Sequence, residues 1–317
     1  MKKLIILILP ILILLSSCEL MLPNNKTDRN VYLVSLALEY YSSNKLYGTL
    51  NDQKGIHEEV EFLCNNNSYP LNYTLITQEA NKIKVNNNNV EKKEYDYIIG
   101  THSTIIKDTL LNTLKTYASK MDDNDLLLFH YSGHGYDDGN LVYDIIYKSY
   151  MKLDLYFITI DEIYNAIKDS KGIKFLIIDS CFSGNLYDQL TSEKDNNSFN
   201  NIFENPSVNN NIFILSGARS DEKSYEWPNK DDYSDGITYP ILGDMTRLFL
   251  RRLGYDDIKM KPGSTGKKVY FSEVVTYIQK NIASLPCYVP PELLNKTIYS
   301  GMNQHPQNVE IKDFILF

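Results

Sequence analysis

Continuous apolar runs alternate with amphipathic segments along most of the chain. The runs predict buried strands, and the 3.6-residue spacing between them predicts helices. The predicted strands are residues 31–38, 73–77, 125–131, 173–179 and 211–217, and the predicted helices are 52–63, 101–117, 160–169, 237–253 and 271–283, with a hairpin or edge strands in 140–160. This alternation favours an α/β fold with a mostly parallel sheet covered by helices on both faces.

The first eighteen residues have the layout of a secretory signal rather than of the fold. Lys2 and Lys3 precede an apolar run at residues 4–15, which at about twelve residues is too short to span a bilayer. The ending at residues 14–18 resembles the lipobox of bacterial lipoproteins. The resemblance implies a signal peptide at residues 1–17, a diacylated Cys18 at the mature N-terminus, and a polar tether at residues 18–30. The alternative is an ordinary signal peptide in which Cys18 is incidental.

These features place the protein in the bacterial cell envelope, anchored in the lipid bilayer and facing outside the cytoplasm. Residues 31–317 show no internal repeat and no boundary, so we expect them to form one domain. The hydrophobic fraction of 43% suits a globular core, and the net charge of −8 argues against nucleic-acid binding, which needs a basic face.

Two predicted strands end in residues that could carry chemistry. One leads into His134, with a glycine on each side, and the other into Cys181, with Gly184 close behind. Ligands of open α/β sheets bind at the carboxyl ends of the strands, and Cys with His is the pair that thiol catalysis needs. Each residue alone is more often a core cysteine or a surface histidine, but two Gly-rich strand ends together are more specific.

Taken with their neighbours, these segments resemble the caspase and metacaspase superfamily of cysteine proteases. Residues 131–135 match its histidine motif and residues 179–184 its nucleophile motif. Shorter resemblances lie at residues 46–52, 216–219 and 304–307. The resemblance implies a caspase-like three-layer αβα sandwich around a mostly parallel sheet of about six strands.

The family resemblance also implies roles for individual residues. Cys181 would be the nucleophile and His134 the general acid and base, while the backbone N–H groups of Gly135 and Cys181 would form the oxyanion hole. Asp52 and Asp179 match two acidic residues that hold an Arg or Lys of the substrate in metacaspases. We therefore expect a cysteine endopeptidase that cleaves peptides or proteins after Arg or Lys.

Some alternatives stay open on the sequence. Gln53 stands where many members have a small residue, which puts the shape near Asp52 in doubt, and Asp52 could instead cap a helix. The protein could also be a catalytically silent caspase-like lipoprotein that binds or scaffolds. A third alternative is a Cys-His hydrolase that acts on a non-peptide substrate.

No cofactor or metal is expected for the reaction. His130 and His134 have the i,i+4 spacing of zinc ligands, but His130 falls in a predicted strand, where that spacing need not converge. Asp122, Asp123 and Asp125 form an acidic turn that leaves calcium activation as a weaker alternative.

A long polar segment follows the nucleophile motif. Residues 185–210 are rich in Asn, lack any period and contain a single basic residue, Lys194. Accessible segments of this kind are where proteases cut. A protease specific for basic residues would therefore cleave its own chain after Lys194.

Overall fold

The computed structural model describes residues 29–40, 45–88, 90–96, 103–136, 140–149, 152–184, 211–219, 222–227, 240–282, 307–308 and 314–317. Cys18 and Lys194 lie outside these residues, as do the predicted signal peptide and the segment 185–210.

The elements of the described residues follow one another in a largely alternating order. They are β1 (Val31–Leu38), α1 (Thr49–Asn67), β2 (Leu71–Glu79), β3 (Lys82–Asn87), β4 (Val90–Asp96), α2 (Ser103–Ala118), β5 (Leu126–Ser132), β6 (Leu141–Ser149), β7 (Lys152–Ile158), α3 (Ile160–Ile167), β8 (Ile173–Asp179), β9 (Ile212–Ser216), β10 (Glu226–Trp227), β11 (Leu242–Gly243), α4 (Asp244–Leu253), α5 (Phe271–Asn281) and β12 (Gln307–Asn308).

The main sheet has the order β12-β9-β8-β5-β1-β2-β3-β4 within the described chain. Its five central strands, β9, β8, β5, β1 and β2, are parallel to one another. All eight residues of β1 are buried, which explains why its sequence is continuously apolar rather than alternating. The carboxyl ends of β5 and β8 consequently lie side by side at one edge of the sheet.

Helices cover both faces of this sheet. On one face, Ile106 and Leu110 of α2 and Ile163 of α3 pack with the even-numbered apolar residues of β1. On the other face, Ile56 of α1 and Phe249 of α4 pack, together with α5, against its odd-numbered positions. The expected αβα sandwich is thus confirmed. Within the described residues, no helix is long and apolar enough to cross a bilayer.

The sheet is wider than the expected six strands, because β3 and β4 were not predicted. These strands are rich in Lys, Glu and Asn and form an antiparallel extension at the outer edge of the sheet. A strand that is only partly buried needs few apolar residues, so the hydrophobic pattern of the sequence does not predict it. Charged residues at such an edge also discourage pairing with another chain.

Helix α4 begins at Asp244, later than the predicted start at residue 237. The residues just before it form β11, which pairs with β10 in a small antiparallel ribbon, Glu226 opposite Gly243. Conversely, α1 begins at Thr49, three residues before the predicted start, and this places Asp52 inside its first turn.

Candidate active site

The turns that carry the predicted Cys and His leave the sheet from adjacent points. The register of β5 and β8 pairs their last residues, Ser132 and Asp179. Just beyond them, the N–H of Gly133 donates to the carbonyl oxygen of Asp179 at 3.4 Å. Two segments that lie about 45 residues apart in sequence therefore start from one place on the sheet edge.

Cys181 is half-buried in the turn that follows β8. Its sulfhydryl donates to the carbonyl oxygen of Ser224 at 3.7 Å. The next residue, Phe182, has a left-handed φ of 57°, and its N–H donates to the carbonyl of Glu222 at 2.8 Å. Burial raises the pKa of the Cys181 thiol, although the hydrogen bond with Ser224 and the charge of Lys223 oppose the rise. The thiol therefore needs a nearby base to become a nucleophile at neutral pH.

Gly135 packs directly against the nucleophile turn. A Cβ atom at this position would lie 1.9 Å from the carbonyl oxygen of Cys181, so only glycine fits. The backbone segments predicted to form the oxyanion hole are thus neighbours. His134, half-buried beside them, lies against the ring of Tyr40 with 4.5 Å between ring centroids.

A pocket of about 570 Å³ opens at this edge of the sheet. It contains both predicted catalytic residues and one of the predicted substrate-binding acids. The lining residues that matter below are His134, Gly135, Asp179, Cys181, Ser224 and Glu226.

Asp52 lies behind the pocket wall rather than on its surface. It is fully buried, its Oδ2 accepts a hydrogen bond from Ser132 Oγ at 2.7 Å, and its Oδ1 accepts one from the N–H of Gly243 at 2.9 Å. Its carboxylate does not cap α1, because the N-cap of that helix is Gly48, with no side-chain cap bond. Asp52 instead holds two residues that line the pocket.

Asp179 is held by two segments that come from later in the chain. Its Oδ1 accepts from Ser224 Oγ at 2.5 Å, and its Oδ2 accepts from the N–H and the hydroxyl of Thr246, at 2.9 and 2.8 Å. Thr246 belongs to the first turn of α4, where free N–H groups favour a carboxylate.

Gly243 separates the two carboxylates. A Cβ there would lie 2.3 Å from Asp179 Oδ2 and 3.1 Å from Asp52 Oδ2, so both acids flank one backbone position. Burial raises the pKa of Asp179, and burial together with the neighbouring Asp179 raises the pKa of Asp52 well above its usual range. A cation in the pocket would restore the charged forms.

A family model for the caspase domain matches residues 39–238, a segment that contains His134, Cys181 and both acids. The match covers well over half of the chain. The chain belongs to the caspase-domain family. At the level of the family, this domain is that of cysteine peptidases, hydrolases whose substrates are proteins.

Solved caspase structures share the fold at low sequence identity. The chain is similar to the crystal structure of caspase-1 from Spodoptera frugiperda, with 13% identity, 88% of each chain covered and a TM-score of 0.52. The structure of pro-sf-caspase-1 gives 11% identity, 88% of this chain and 90% of that one covered, and a TM-score of 0.45. No curated protein sequence matches the chain.

Two further acids were not predicted: Glu226 lines the pocket, and Asp244 follows the lining residue Gly243. Glu226 accepts hydrogen bonds from the N–H groups of Tyr47 and Gly48, at 3.0 and 2.9 Å, and burial raises its pKa to about 7. Asp244 is almost fully buried, and neither of its carboxylate oxygens has a hydrogen-bond partner among the described residues. Burial, with Asp179 nearby, raises its pKa well above the usual range.

The sequence offers little signal for these two acids. They lie 18 residues apart, flank a segment without a hydrophobic period, and meet only because β10 pairs with β11. Glu226 lies eleven residues before the predicted helix 237–253 and Asp244 lies inside it, and neither position points to any chemistry by itself.

His130 does not join His134 in a metal site. It is fully buried in β5, with Nδ1 2.9 Å from Ser35 Oγ and Nε2 3.5 Å from Thr246 Oγ1. Burial lowers its pKa to about 3, so the ring stays neutral. The described residues contain no cluster of His, Cys, Asp and Glu that could hold a metal ion.

The acidic turn considered for calcium has a structural role. Asp125 is fully buried and accepts hydrogen bonds from the N–H groups of Asn30 and Asp122, at 2.7 and 2.8 Å. Asp122 and Asp123 are exposed beside Lys171, at 4.0 and 3.9 Å. The calcium hypothesis therefore rests on the sequence alone.

Proposed function

We propose that the protein is a cysteine endopeptidase that uses a Cys181–His134 dyad. The observation that carries the proposal is one pocket lined by both side chains, at the carboxyl ends of adjacent parallel strands, in a member of the caspase-domain family. Neither residue alone would distinguish a catalytic site from packing.

The proposed reaction follows from this placement. His134 takes the thiol proton of Cys181, and the sulfur attacks the scissile carbonyl carbon. The N–H groups of Gly135 and Cys181 donate to the oxyanion, and His134 then protonates the leaving amine as the C–N bond breaks. Water, deprotonated by His134, hydrolyses the resulting thioester and regenerates the thiol.

We also propose that the substrate places Arg or Lys in the acidic part of the pocket. Asp179 and Glu226 line it, and Asp52 and Asp244 lie buried close behind. An acidic substrate side chain would meet like charges, whereas a cation would offset carboxyl groups that burial now disfavours in their charged form. Arg has the planar donors that suit such a site best.

A peptide library varied at the residue before the scissile bond tests both proposals. We expect cleavage after Arg or Lys, negligible cleavage after Asp, and no cleavage by the Cys181→Ala variant. Efficient turnover after Asp would contradict the assigned specificity. Activity that persists in Cys181→Ala would contradict the assigned nucleophile.

A second candidate function is a binding module that uses the fold without catalysis. It is favoured by the thiol itself, which is engaged by the Ser224 carbonyl and whose pKa burial raises. Alkylation by iodoacetamide separates the candidates. A reaction at neutral pH that is faster than with free cysteine, and that slows in His134→Ala, supports the dyad, whereas an inert thiol supports the binding module.

We propose, from the sequence, that the mature protein is anchored in a bacterial membrane through acylated Cys18. Two acyl chains supply the two signals that stable attachment requires. The test is partition of the expressed protein into detergent. We expect Cys18→Ser to move to the aqueous phase, and equal partition of both forms would contradict the anchor.

We further propose that the active enzyme cleaves its own chain after Lys194. The basis is the specificity proposed above and the single basic residue in segment 185–210. Mass spectrometry of incubated enzyme should show a new terminus at residue 195, absent in Lys194→Gln and in Cys181→Ala. An intact chain after prolonged incubation of active enzyme would contradict the proposal.

A further inference from the structure

Tyr40 adopts a backbone conformation that a bulky residue rarely occupies. Its φ is +54°, in the left-handed region, two residues after β1 ends. The conformation is held by its N–H, which donates to Gln78 Oε1 at 2.7 Å, while Gln78 Nε2 donates to the carbonyl of Ala80 at 2.6 Å. Strain of this kind persists only where the surroundings impose it, and it is concentrated at functional sites.

The strained backbone directs the Tyr40 side chain towards His134. The phenol ring lies 4.5 Å from the imidazole, centroid to centroid, and the hydroxyl oxygen accepts a hydrogen bond from the His134 N–H at 2.9 Å. Tyr40 is 5% exposed, so water does not compete strongly for these contacts. One side chain thus contacts both the ring and the backbone of the proposed general base.

A second buried tyrosine completes the arrangement. Tyr131 lies in β5, two residues before the turn at Gly133. Its hydroxyl donates a hydrogen bond to the His134 carbonyl at 2.6 Å. Tyr40 donates its own hydroxyl hydrogen to the Val142 carbonyl at 2.5 Å, and the two hydroxyl oxygens are 3.0 Å apart. The Tyr131 hydroxyl also lies 2.9 Å from the Val142 carbonyl oxygen, and both backbone polar groups of His134 are bound by the pair.

The hydroxyl pair also explains the glycine that precedes the histidine. A Cβ atom at Gly133 would lie 2.5 Å from the Tyr131 hydroxyl oxygen and 2.7 Å from that of Tyr40. Any larger residue would push the two phenols away from the turn. The glycine is therefore required by the tyrosine pair.

We propose that Tyr40 and Tyr131 are positioning residues for His134, which fix the backbone of the turn and the plane of the imidazole so that the ring serves Cys181. The proposal rests on the proposed Cys181–His134 peptidase function. Neither tyrosine reaches the reacting atoms in this scheme. Both act through the placement of the histidine, and proton transfer is sensitive to such placement because a shift of about 1 Å can cost about 100-fold in rate.

The experiment compares hydroxyl deletions at three buried tyrosines. Tyr40→Phe and Tyr131→Phe remove the hydroxyls that contact His134. Tyr117→Phe is the matched control, because Tyr117 is 4% exposed and its hydroxyl is 2.9 Å from Thr74 Oγ1, away from the pocket. Each of the three changes removes a buried hydroxyl that makes at least two hydrogen bonds. A purely structural role therefore predicts a loss of stability in all three variants, with the wild-type kcat kept by the folded molecules.

The expected result is a split between kcat and KM. We expect Tyr40→Phe and Tyr131→Phe to lower kcat by about 10- to 100-fold with KM within about twofold, because general acid–base catalysis contributes on the order of 100- to 10,000-fold and is only partly lost. Tyr117→Phe should keep the wild-type kcat. Equal kcat in all three variants would overturn the proposal. If Tyr40→Phe does not fold, Tyr131→Phe decides, since it leaves the strained backbone untouched.

A readout without substrate separates this proposal from the proposed function. The imidazole resonances of His134, assigned by their absence in His134→Ala, should move in Tyr40→Phe and Tyr131→Phe and coincide with wild type in Tyr117→Phe. Unchanged resonances in both test variants would overturn the positioning role even if peptides are cleaved. Shifted resonances in a protein that cleaves no peptide would contradict the proposed function and leave the placement of His134 supported.

Discussion

The parallel strands of the central sheet begin at one side of the sheet, the amino edge, and finish at the opposite side, the carboxyl edge. Both edges bury charged groups, but the hydrogen-bond partners of these groups differ. At the amino edge, Asp125 accepts hydrogen bonds from the backbone of Asn30 and Asp122. Lys174, also fully buried, donates to the carbonyls of the turn before β8, at 2.8 and 3.2 Å. Each charged side chain at this edge therefore stabilises a nearby loop through hydrogen bonds to its backbone.

The carboxyl edge instead gathers charges of one sign. Asp179 and Glu226 line one pocket, Asp52 and Asp244 lie buried behind them, and burial raises the pKa of each acid. Such a cluster costs stability in the absence of a ligand and favours a cation when one arrives. Backbone groups bind the charges at both edges, and three of the four acids accept backbone N–H hydrogen bonds. The difference is that the carboxyl edge places several acids together, and the basic substrate proposed above would offset their shared negative charge.

The largest expected effect separates activity from stability at the carboxyl edge. Cys181→Ala should lower turnover by at least about 1,000-fold, because removal of a nucleophile leaves only binding and oxyanion stabilisation. The free energy of unfolding should not fall, since the thiol makes one weak hydrogen bond. Peptide turnover and denaturant unfolding check this, and His134→Ala combined with Cys181→Ala should add little to the loss.

At the amino edge the reverse is expected. Asp125→Ala leaves the backbone N–H groups of Asn30 and Asp122 and the side-chain amide of Asn30 without this acceptor, and should lower the free energy of unfolding by about 3 kcal/mol. Turnover per folded molecule should not change. The control is Asp123→Ala, an exposed neighbour, whose unfolding should match wild type. A loss of turnover in the folded fraction of Asp125→Ala would contradict the separation of the two edges.

Neutralisation of one pocket acid should change specificity. Asp179→Asn keeps the size of the side chain but removes its charge, and should lower kcat/KM for an Arg substrate by about 100-fold, since a charge-assisted contact is worth about 1.5–3 kcal/mol. The free energy of unfolding of Asp179→Asn should equal or exceed that of the wild type. Unchanged preference for Arg over an uncharged residue of equal length would contradict the role of Asp179.

The smallest effect concerns pH. Burial raises the pKa of Glu226 from 4.5 to about 7, so between these values the folded state holds a proton that the unfolded state releases. Stability must therefore fall as pH rises through this window, by about 1–2 kcal/mol after allowance for partial exposure. In Glu226→Gln, the free energy of unfolding should fall less between pH 5 and pH 7.5 than in the wild type. Urea unfolding at the two pH values measures this difference. Exposed Glu61→Gln is the control and should keep the wild-type slope.

The sequence predicted the parts of the site that follow from sheet geometry. His134 and Cys181 each follow a continuous apolar strand and a glycine or a turn, and parallel strands bring such ends together. Asp179 was expected in the pocket because it ends the same strand as Cys181. The meeting of these strand ends needed only the hydrophobic pattern and the direction of the strands, whereas the roles of His134, Cys181 and Asp179 were implied by the resemblance to the caspase and metacaspase superfamily.

The parts that escaped prediction depend on tertiary contacts. Ser224, Glu226 and Asp244 reach the pocket through a short ribbon whose strands have two residues each, which is too short to show a period. The role of Tyr40 depends on a left-handed φ that no sequence rule assigns to tyrosine. The conformational propensity of a residue does not predict its backbone conformation where contacts with a distant segment impose that conformation.

The start of β1 has a consequence for the geometry of the enzyme on a membrane. Arg29 donates to the carbonyls of Ile315 and Leu316, so the chain enters the domain firmly at the amino edge, opposite the pocket. The eight residues of β1 span about 26 Å between this entry point and the carboxyl edge that holds the pocket. The eleven-residue span from Cys18 to Arg29 adds up to about 38 Å at full extension. If Cys18 carries the proposed acyl chains, the tether therefore joins the domain at the end of the sheet opposite the pocket.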